Sequence, residues 1–219
     1  MERGLLDLRL TVYDRLKQAI LSRELQSGMK LTVEDLTKRF NVSPTPIKEA
    51  LIALEKEGLV ENIPRRGAFV STITLKDVEE IYSLREVLEG LCGRRLAEKI
   101  DDASIIKLNN ILADSERYAK TNDFLGYEET DRAFHLILRE LTDDKRVIYY
   151  LSMLEGQLRL VLPIVNTLPG RLESSLQEHK KILQNLEKRN IQNVEFYCKE
   201  HMRLEKEAVL TDLRLRGLR

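Results

Sequence analysis

The chain contains only three histidines, His135, His179 and His201, and all of them lie in its second half. Asp131 precedes His135 by four residues, so on a helix the two side chains project from one face, one turn apart. Neutral imidazoles and a carboxylate suit a borderline divalent metal ion such as Zn²⁺, Ni²⁺, Co²⁺ or Mn²⁺. An isolated histidine is more often a surface or core residue with a hydrogen-bond partner. These residues alone therefore leave both interpretations open.

Each of these four residues falls in a stretch whose apolar spacing predicts a helix. From Thr74 onward the sequence carries only helical signals, and Thr74 itself suits the N-cap of the first helix. Pro163 and the run Leu168-Pro169-Gly170 interrupt the pattern between two helices. The predicted helices cover residues 75–99, 101 or 102 to 121, 124–141, 144–162, 171–188 and 191–215. Six helices with short connections indicate a compact bundle.

The first part of the chain has a different pattern, in which three short helices precede a hairpin. Ser43 followed by Pro44 is typical of an N-cap with proline at the first helical position, and Gly58 is typical of a helix end. The run Pro64-Arg65-Arg66-Gly67 predicts the turn of the hairpin. The predicted elements are helices at 8–22, 33–40 and 44–57 and strands at 59–63 and 68–70. These are the parts of a winged helix-turn-helix.

We therefore predict a mainly α protein with two domains. Residues 1–74 would form a winged helix-turn-helix DNA-binding domain with a small β-hairpin, and residues 75–219 an all-α helical bundle. Cys92 and Cys198 are far apart in helical patterns, so we interpret both as reduced packing residues rather than a disulfide framework.

Charge and hydropathy limit the classes of function that fit. The chain has 36 basic and 36 acidic residues, and residues 1–74 hold 12 basic and 10 acidic ones. DNA contact must therefore come from a local patch rather than from a basic tail. The sequence has no run of about 18 apolar residues and no signal-peptide core, so we expect a cytoplasmic protein without a membrane partner.

The second helix of a helix-turn-helix enters the major groove and presents its N-terminal residues to base edges. The exposed early positions of the helix at 44–57 are Thr45 and Lys48. Arg65 and Arg66 at the hairpin tip could reach phosphates or the minor groove. Two more basic residues, Lys38 and Arg39, come just before the turn. Each could be an ordinary surface charge, but basic residues occur at both places where this fold touches DNA.

Two runs in the first part of the chain, Val42–Leu51 and Leu54–Val60, together with Pro64–Val70, resemble the GntR family of bacterial regulators. The resemblance spans residues 9–70 and implies homodimers bound to palindromic double-stranded DNA operators. The family usually has arginine where this chain has Pro44, and often where it has Lys48. Lysine keeps the charge but lacks the planar fork that reads guanine with two hydrogen bonds.

Residues 75–215 resemble the ligand-binding FCD domain of the FadR-type branch of that family. The matching stretches are Ile81–Glu89, Asp131–His135, Glu178–Leu183 and His201. The resemblance implies that Asp131, His135, His179 and His201 hold a divalent metal with open positions, where a small organic acid chelates the ion. The resemblance also implies that Arg85 pairs with the carboxylate of the organic acid. The nearby Glu86 and Glu89 favour a surface salt bridge for Arg85 instead.

The expected function is that of a metal- and metabolite-responsive transcriptional repressor or activator. One alternative is a regulator of the same family that binds its effector without metal. Another is a helical-bundle metalloenzyme, but such enzymes typically carry paired Glu-x-x-His motifs, and this sequence has none.

Overall fold

The computed structural model describes the backbone of residues 2–161, 168 and 170–218, and the side chains of residue 11 onward within these ranges. The chain divides into two compact units. One unit comprises the described residues of Met1–Ile73 and Met153–Pro163, and the other those of Thr74–Ser152 and Ile164–Arg219. The predicted fold class is confirmed: helices dominate, and a small antiparallel sheet lies in the first unit.

The first unit is built from three helices and three strands. In chain order they are α1 (Glu2–Leu21), β1 (Lys30–Leu31), α2 (Val33–Phe40), α3 (Pro44–Lys56), β2 (Val60–Ile63) and β3 (Gly67–Val70). The sheet order is β1-β3-β2, with Lys30 opposite Phe69 and Val60 opposite Val70. Strand β1 was not predicted, because two residues are too few to show an alternating pattern.

Helix α3 is held by its apolar face. Ile47, Leu51 and Leu54 are buried in one core with Leu16 and Leu36 from the neighbouring helices. Asn41 ends α2 in a left-handed conformation with φ 54°, which produces the turn between α2 and α3. This packing fixes the direction of α3 and leaves its opposite face exposed.

The first unit also contains residues 153–161, which follow the predicted domain boundary at residue 74. The side-chain amide of Gln157 donates a hydrogen bond of 2.9 Å to the Glu57 carbonyl at the end of α3. Leu160 is buried in the core of the same unit. The boundary at residue 74 remains a prediction, and it does not account for residues 153–161, which lie in the first unit.

The second unit is a helical bundle. Its helices are α4 (Leu75–Lys99), α5 (Asp102–Thr121), α6 (Phe124–Glu140), the first part of α7 (Lys145–Leu158), α8 (Arg171–Glu187) and α9 (Ile191–Leu215). The predicted helix at 144–162 thus ends at Leu158, and Leu162, Pro163 and Pro169 lie outside the described residues. Among those described, no helix is long and apolar enough to cross a membrane.

Helices α4 and α9 approach each other closely. A Cβ atom added to Gly93 would lie 2.6 Å from the Sγ atom of Cys198, and one added to Gly90 2.6 Å from the side chain of Lys199. Cys92 and Cys198 are free and buried, as predicted for packing residues. The close approach brings polar residues of α4 next to those of α9 in the interior of the bundle.

Candidate metal centre and nucleic-acid interface

The three histidines converge inside the second unit. His135 lies on α6, His179 on α8 and His201 on α9, and their exposed fractions are 7%, 0% and 2%. The Nε2 atoms are 3.1 Å apart for His135 and His201, 3.1 Å for His179 and His201, and 3.3 Å for His135 and His179. Three ring nitrogens from three helices therefore face one point.

These separations fit a metal ion. With metal–nitrogen bonds of about 2.1 Å, neighbouring ligand atoms lie about 3.0 Å apart in an octahedron and about 3.4 Å apart in a tetrahedron. Burial, and next the electrostatic effect of the neighbouring His201 ring, lower the pKa values of His135 and His179 well below their usual range. Both rings are therefore neutral near pH 7, as metal ligands must be.

The ring of His201 is oriented by an ion pair between Glu178, which is partly buried, and Arg171, which is buried. Its Nδ1 atom lies 2.6 Å from Glu178 Oε2, so a proton on Nδ1 leaves the lone pair of Nε2 facing the cluster. Glu178 is held in turn by Arg171 through hydrogen bonds of 2.7 and 3.1 Å. Burial opposes ionisation of Glu178, but the hydrogen bonds from His201 and Arg171 lower its pKa below the usual range. The carboxylate is thus ionised and supports the ring.

Asp131 borders the histidine cluster at a greater distance. Its Oδ1 atom lies 3.8 Å from His179 Nε2 and accepts a hydrogen bond of 3.4 Å from the Ser175 hydroxyl. Burial, and next the negative charge of Glu205, raise the pKa of Asp131 to about 6. The structure thus brings the three histidine rings together and places the Asp131 carboxylate 3.8 Å from one of them.

Arg85, which was predicted to pair with a carboxylate, lies buried on α4 rather than on the surface. Its nearest carboxylate oxygens belong to Glu89 at 3.6 Å and Glu205 at 3.8 Å, and its guanidinium lies over the ring of Tyr82. Its Nε atom has no hydrogen-bond partner among the described residues. Glu86, the other expected partner, is not among these contacts.

Sequence reasoning missed most of the charged residues around the cluster. Glu89, Arg139 and Arg171 are buried, and Glu178 and Glu205 are partly buried. Helical spacing could have found two of them, because Arg139 follows His135 by four residues and Glu205 follows His201 by four.

The nucleic-acid interface predicted for the first unit lies on the exposed face of α3 and on the hairpin. Thr45 and Lys48 are exposed on the first turns of α3, as a recognition helix requires. At the hairpin tip Arg65 and Arg66 are also exposed, and Arg65 has a positive φ of 64°. The guanidinium of Arg66 lies 5.3 Å from the centre of the Phe69 ring, which holds it near the tip.

The two basic residues of α2 differ from those of α3 and the hairpin, because both already have acidic partners. Lys38 pairs with Glu34 at 2.7 Å, and Arg39 pairs with Glu24. A DNA phosphate would have to compete with these carboxylates, so Lys38 and Arg39 are weaker candidates for DNA contact than Lys48, Arg65 and Arg66.

Comparison with known proteins assigns a family to each part of the chain. Residues 8–70 match the family described as bacterial regulatory proteins, gntR family, and residues 80–204 match the FCD domain. The chain is 30% identical to the gluconate operon transcriptional repressor of Bacillus licheniformis, over 78% of this chain and 70% of that protein. It is 26% identical to the HTH-type transcriptional repressor RspR of Escherichia coli, over 90% of this chain and 87% of that protein.

A solved structure has the same fold. Escherichia coli McbR/YncC superposes with a TM-score of 0.75 at 19% sequence identity, covering 94% of this chain and 98% of that one. The chain therefore belongs to the GntR family of bacterial regulatory proteins, in its FadR-type branch with an FCD domain, and is a DNA-binding transcriptional regulator rather than an enzyme.

Proposed function

We propose that this regulator is a cytoplasmic homodimeric repressor whose affinity for a double-stranded DNA operator changes when a small carboxylic acid binds to a divalent metal ion. His135, His179 and His201 would hold the metal together with Asp131. The observation that carries the proposal is the convergence of three Nε2 atoms within 3.3 Å of one another. Two relatives are named as repressors, which supports repression, and the DNA of a bacterium lies in its cytoplasm.

Three imidazole nitrogens and one carboxylate are donors that suit Zn²⁺, Ni²⁺, Co²⁺ or Mn²⁺. When bound, such an ion would act as a Lewis acid that attracts the carboxylate of an effector. The chain's own residues would orient the ligand rings, because the ion pair of Arg171 and Glu178 fixes His201 and the ring of Phe134 stacks on His179 at 4.4 Å.

Arg85 is the proposed partner of the effector's carboxylate. Of the three buried guanidiniums near the cluster, Arg139 and Arg171 make carboxylate contacts of 2.7 Å, whereas the nearest carboxylate oxygen to Arg85 is 3.6 Å away. A buried guanidinium gains most from a new charge-assisted hydrogen bond when its present partners are distant.

DNA contact is proposed for the exposed residues of α3 and of the hairpin. Thr45 and Lys48 would face base edges, and Arg65 and Arg66 would contact phosphates or the minor groove. Lys38 and Arg39 would contribute less, because each has an acidic partner. A homodimer would place two such surfaces on the two halves of a palindromic operator.

Only residues 71–74 separate strand β3 from helix α4, which carries Arg85. A change in α4 on effector binding could therefore alter the DNA-binding part through the chain. The effector must bind one conformation better than the other, since equal affinity shifts nothing. A coupling of about 1–3 kcal/mol would change operator affinity about 5- to 150-fold. We propose release from DNA, which is the commoner outcome that the family resemblance implies.

The test uses an operator selected from random double-stranded DNA and measures its affinity by fluorescence anisotropy while organic acids are added. An acid that changes the affinity of the metal-loaded wild type but not of His179→Ala supports the proposal. Lys181→Ala is the matched control, because Lys181 is exposed on the same helix. An equal response in wild type and His179→Ala would favour a regulator that binds its effector without metal, and would overturn the proposal.

A further inference from the structure

Glu205 lies one helical turn after His201 on α9, and its carboxylate borders the histidine cluster. Its Oε2 atom is 4.0 Å from His201 Nε2. Asp131, the carboxylate predicted as a metal ligand, stands at nearly the same distance, with Oδ1 3.8 Å from His179 Nε2. Two carboxylates from two different helices therefore border the three Nε2 atoms.

The protein contacts of Glu205 satisfy only one of its two oxygens. The hydroxyl of Tyr82 donates a hydrogen bond of 3.1 Å to Oε1. Oε2 is buried and has no hydrogen-bond partner among the described residues. A buried carboxylate oxygen without a partner is costly, so such an atom points to a missing ligand.

Arg85 does not supply the missing hydrogen bond to Glu205 Oε2. Arg85 Nη1 lies 3.8 Å from Glu205 Oε2, beyond hydrogen-bond distance. The two other buried ion pairs of the cluster, Arg171 with Glu178 and Arg139 with Glu89, both close to 2.7 Å. The same bundle thus forms tight arginine–carboxylate pairs elsewhere, whereas Arg85 and Glu205 stay beyond hydrogen-bond distance.

We propose that Glu205 is a second carboxylate ligand of the metal centre and binds the ion through Oε2, beside Asp131. This inference rests on the proposed function, in which the histidines hold a metal. Two carboxylates and three neutral imidazoles would balance the charge of a divalent ion. A site with two carboxylates would bind Mn²⁺ more tightly than a site with three histidines and one carboxylate, because carboxylates suit harder cations.

The assignment also explains the position of Arg85. With Glu205 bound to the ion, the remaining carboxylate beside Arg85 is Glu89, whose Oε1 already accepts hydrogen bonds of 3.1 and 2.7 Å from Arg139. Arg85 would then lack a carboxylate of its own. An incoming organic acid would supply one, beside the ion.

The experiment is titration calorimetry of metal-stripped, full-length protein with Mn²⁺ and with Zn²⁺. Glu205→Gln keeps the shape and an acceptor for Tyr82 but removes the charge. We expect it to weaken Mn²⁺ binding at least about 10-fold, and Zn²⁺ binding less, as for groups that support a metal site. Glu207→Gln is the matched control, since Glu207 is exposed on the same helix and pairs with Arg203. Wild-type affinity of Glu205→Gln for both ions would overturn the inference.

Two further measurements keep the inference testable if Glu205→Gln does not fold. Glu205→Asp keeps the charge near Arg85 but shortens its reach, so a ligand role predicts weaker Mn²⁺ binding and a pure ion pair predicts no change. A crystal structure of the Mn²⁺-loaded wild type would support the inference if Oε2 contacts the ion and overturn it otherwise. A wild type that binds neither ion overturns the proposed function as well, whereas tight binding unaffected by Glu205→Gln overturns this inference alone.

Discussion

Removing the metal should lower the thermal stability of the protein by a predictable amount. The proposed ligands come from three helices, α6, α8 and α9, and the ligands His135 and His201 are 66 positions apart in the chain. An ion that binds the folded state and not the unfolded chain stabilises it by about 2.7 kcal/mol when its free concentration is 100 times the Kd. For a chain of this size, 1 kcal/mol shifts Tm by about 2–4 °C. We therefore expect a loss of about 5–11 °C on metal removal.

The assay is differential scanning calorimetry of chelator-stripped protein, alone and with a series of Zn²⁺, Ni²⁺, Co²⁺ or Mn²⁺ concentrations. His179→Ala should lose the metal-dependent rise in Tm. Its Tm without metal will also fall, because His179 is fully buried and packs on Phe134, so the rise and not the Tm itself is the measured quantity. Lys181→Ala should keep the full rise.

A stripped wild type whose Tm responds to none of the four ions would refute a stabilising metal site in the bundle. An equal rise in His179→Ala and Lys181→Ala would refute a site at the histidines, because the ion would then bind elsewhere. A rise that grows with the logarithm of metal concentration in the wild type is the expected signature of binding to the folded state.

The remaining predictions concern the first unit. Replacing both Arg65 and Arg66 with alanine should weaken operator binding evenly across DNA sequences. The slope of log affinity against log salt concentration should fall by about one unit per lost phosphate contact. An unchanged slope would show that the hairpin does not contact DNA. Lys48→Arg should strengthen or narrow operator recognition, because arginine can add a second hydrogen bond to a guanine, and a good bidentate contact discriminates against the wrong base by about 1–3 kcal/mol. Operator binding by Lys48→Ala that equals that of the wild type would make Lys48 a plain surface residue. Leu160→Ala should lower the free energy of unfolding by about 2–5 kcal/mol in a urea titration, since Leu160 is buried in the core of that unit, and a loss below 1 kcal/mol would contradict that role.

Several elements could be predicted from the sequence because their determinants are local. Helix α2 begins after Thr32, whose side chain accepts a hydrogen bond from the Asp35 amide, and α4 begins after Thr74, which forms a capping box with Asp77. Both predicted helices have the bounds of the structure, because a cap and an apolar period involve residues within one or two turns. The order of helices and hairpin, and with it the fold class, followed from such signals.

Other features depend on residues that are distant in the chain. Strand β1 exists only because Lys30 and Leu31 pair with β3, and the segment containing Leu160 joins a core formed mainly by residues before position 73. No local pattern encodes either contact, because both arise when buried surfaces pack together.

The sequence determined which residue types were available for a metal site, through three histidines and one aspartate on helical faces. Only the tertiary structure decided that the three Nε2 atoms meet within 3.3 Å, that Asp131 stands farther off, and that Glu205 borders the same cluster. It also decided that Arg85 is buried beside these groups instead of forming a surface salt bridge. The physical reason is that helical spacing fixes the face on which a side chain lies, whereas the packing of helices far apart in the chain fixes which faces meet.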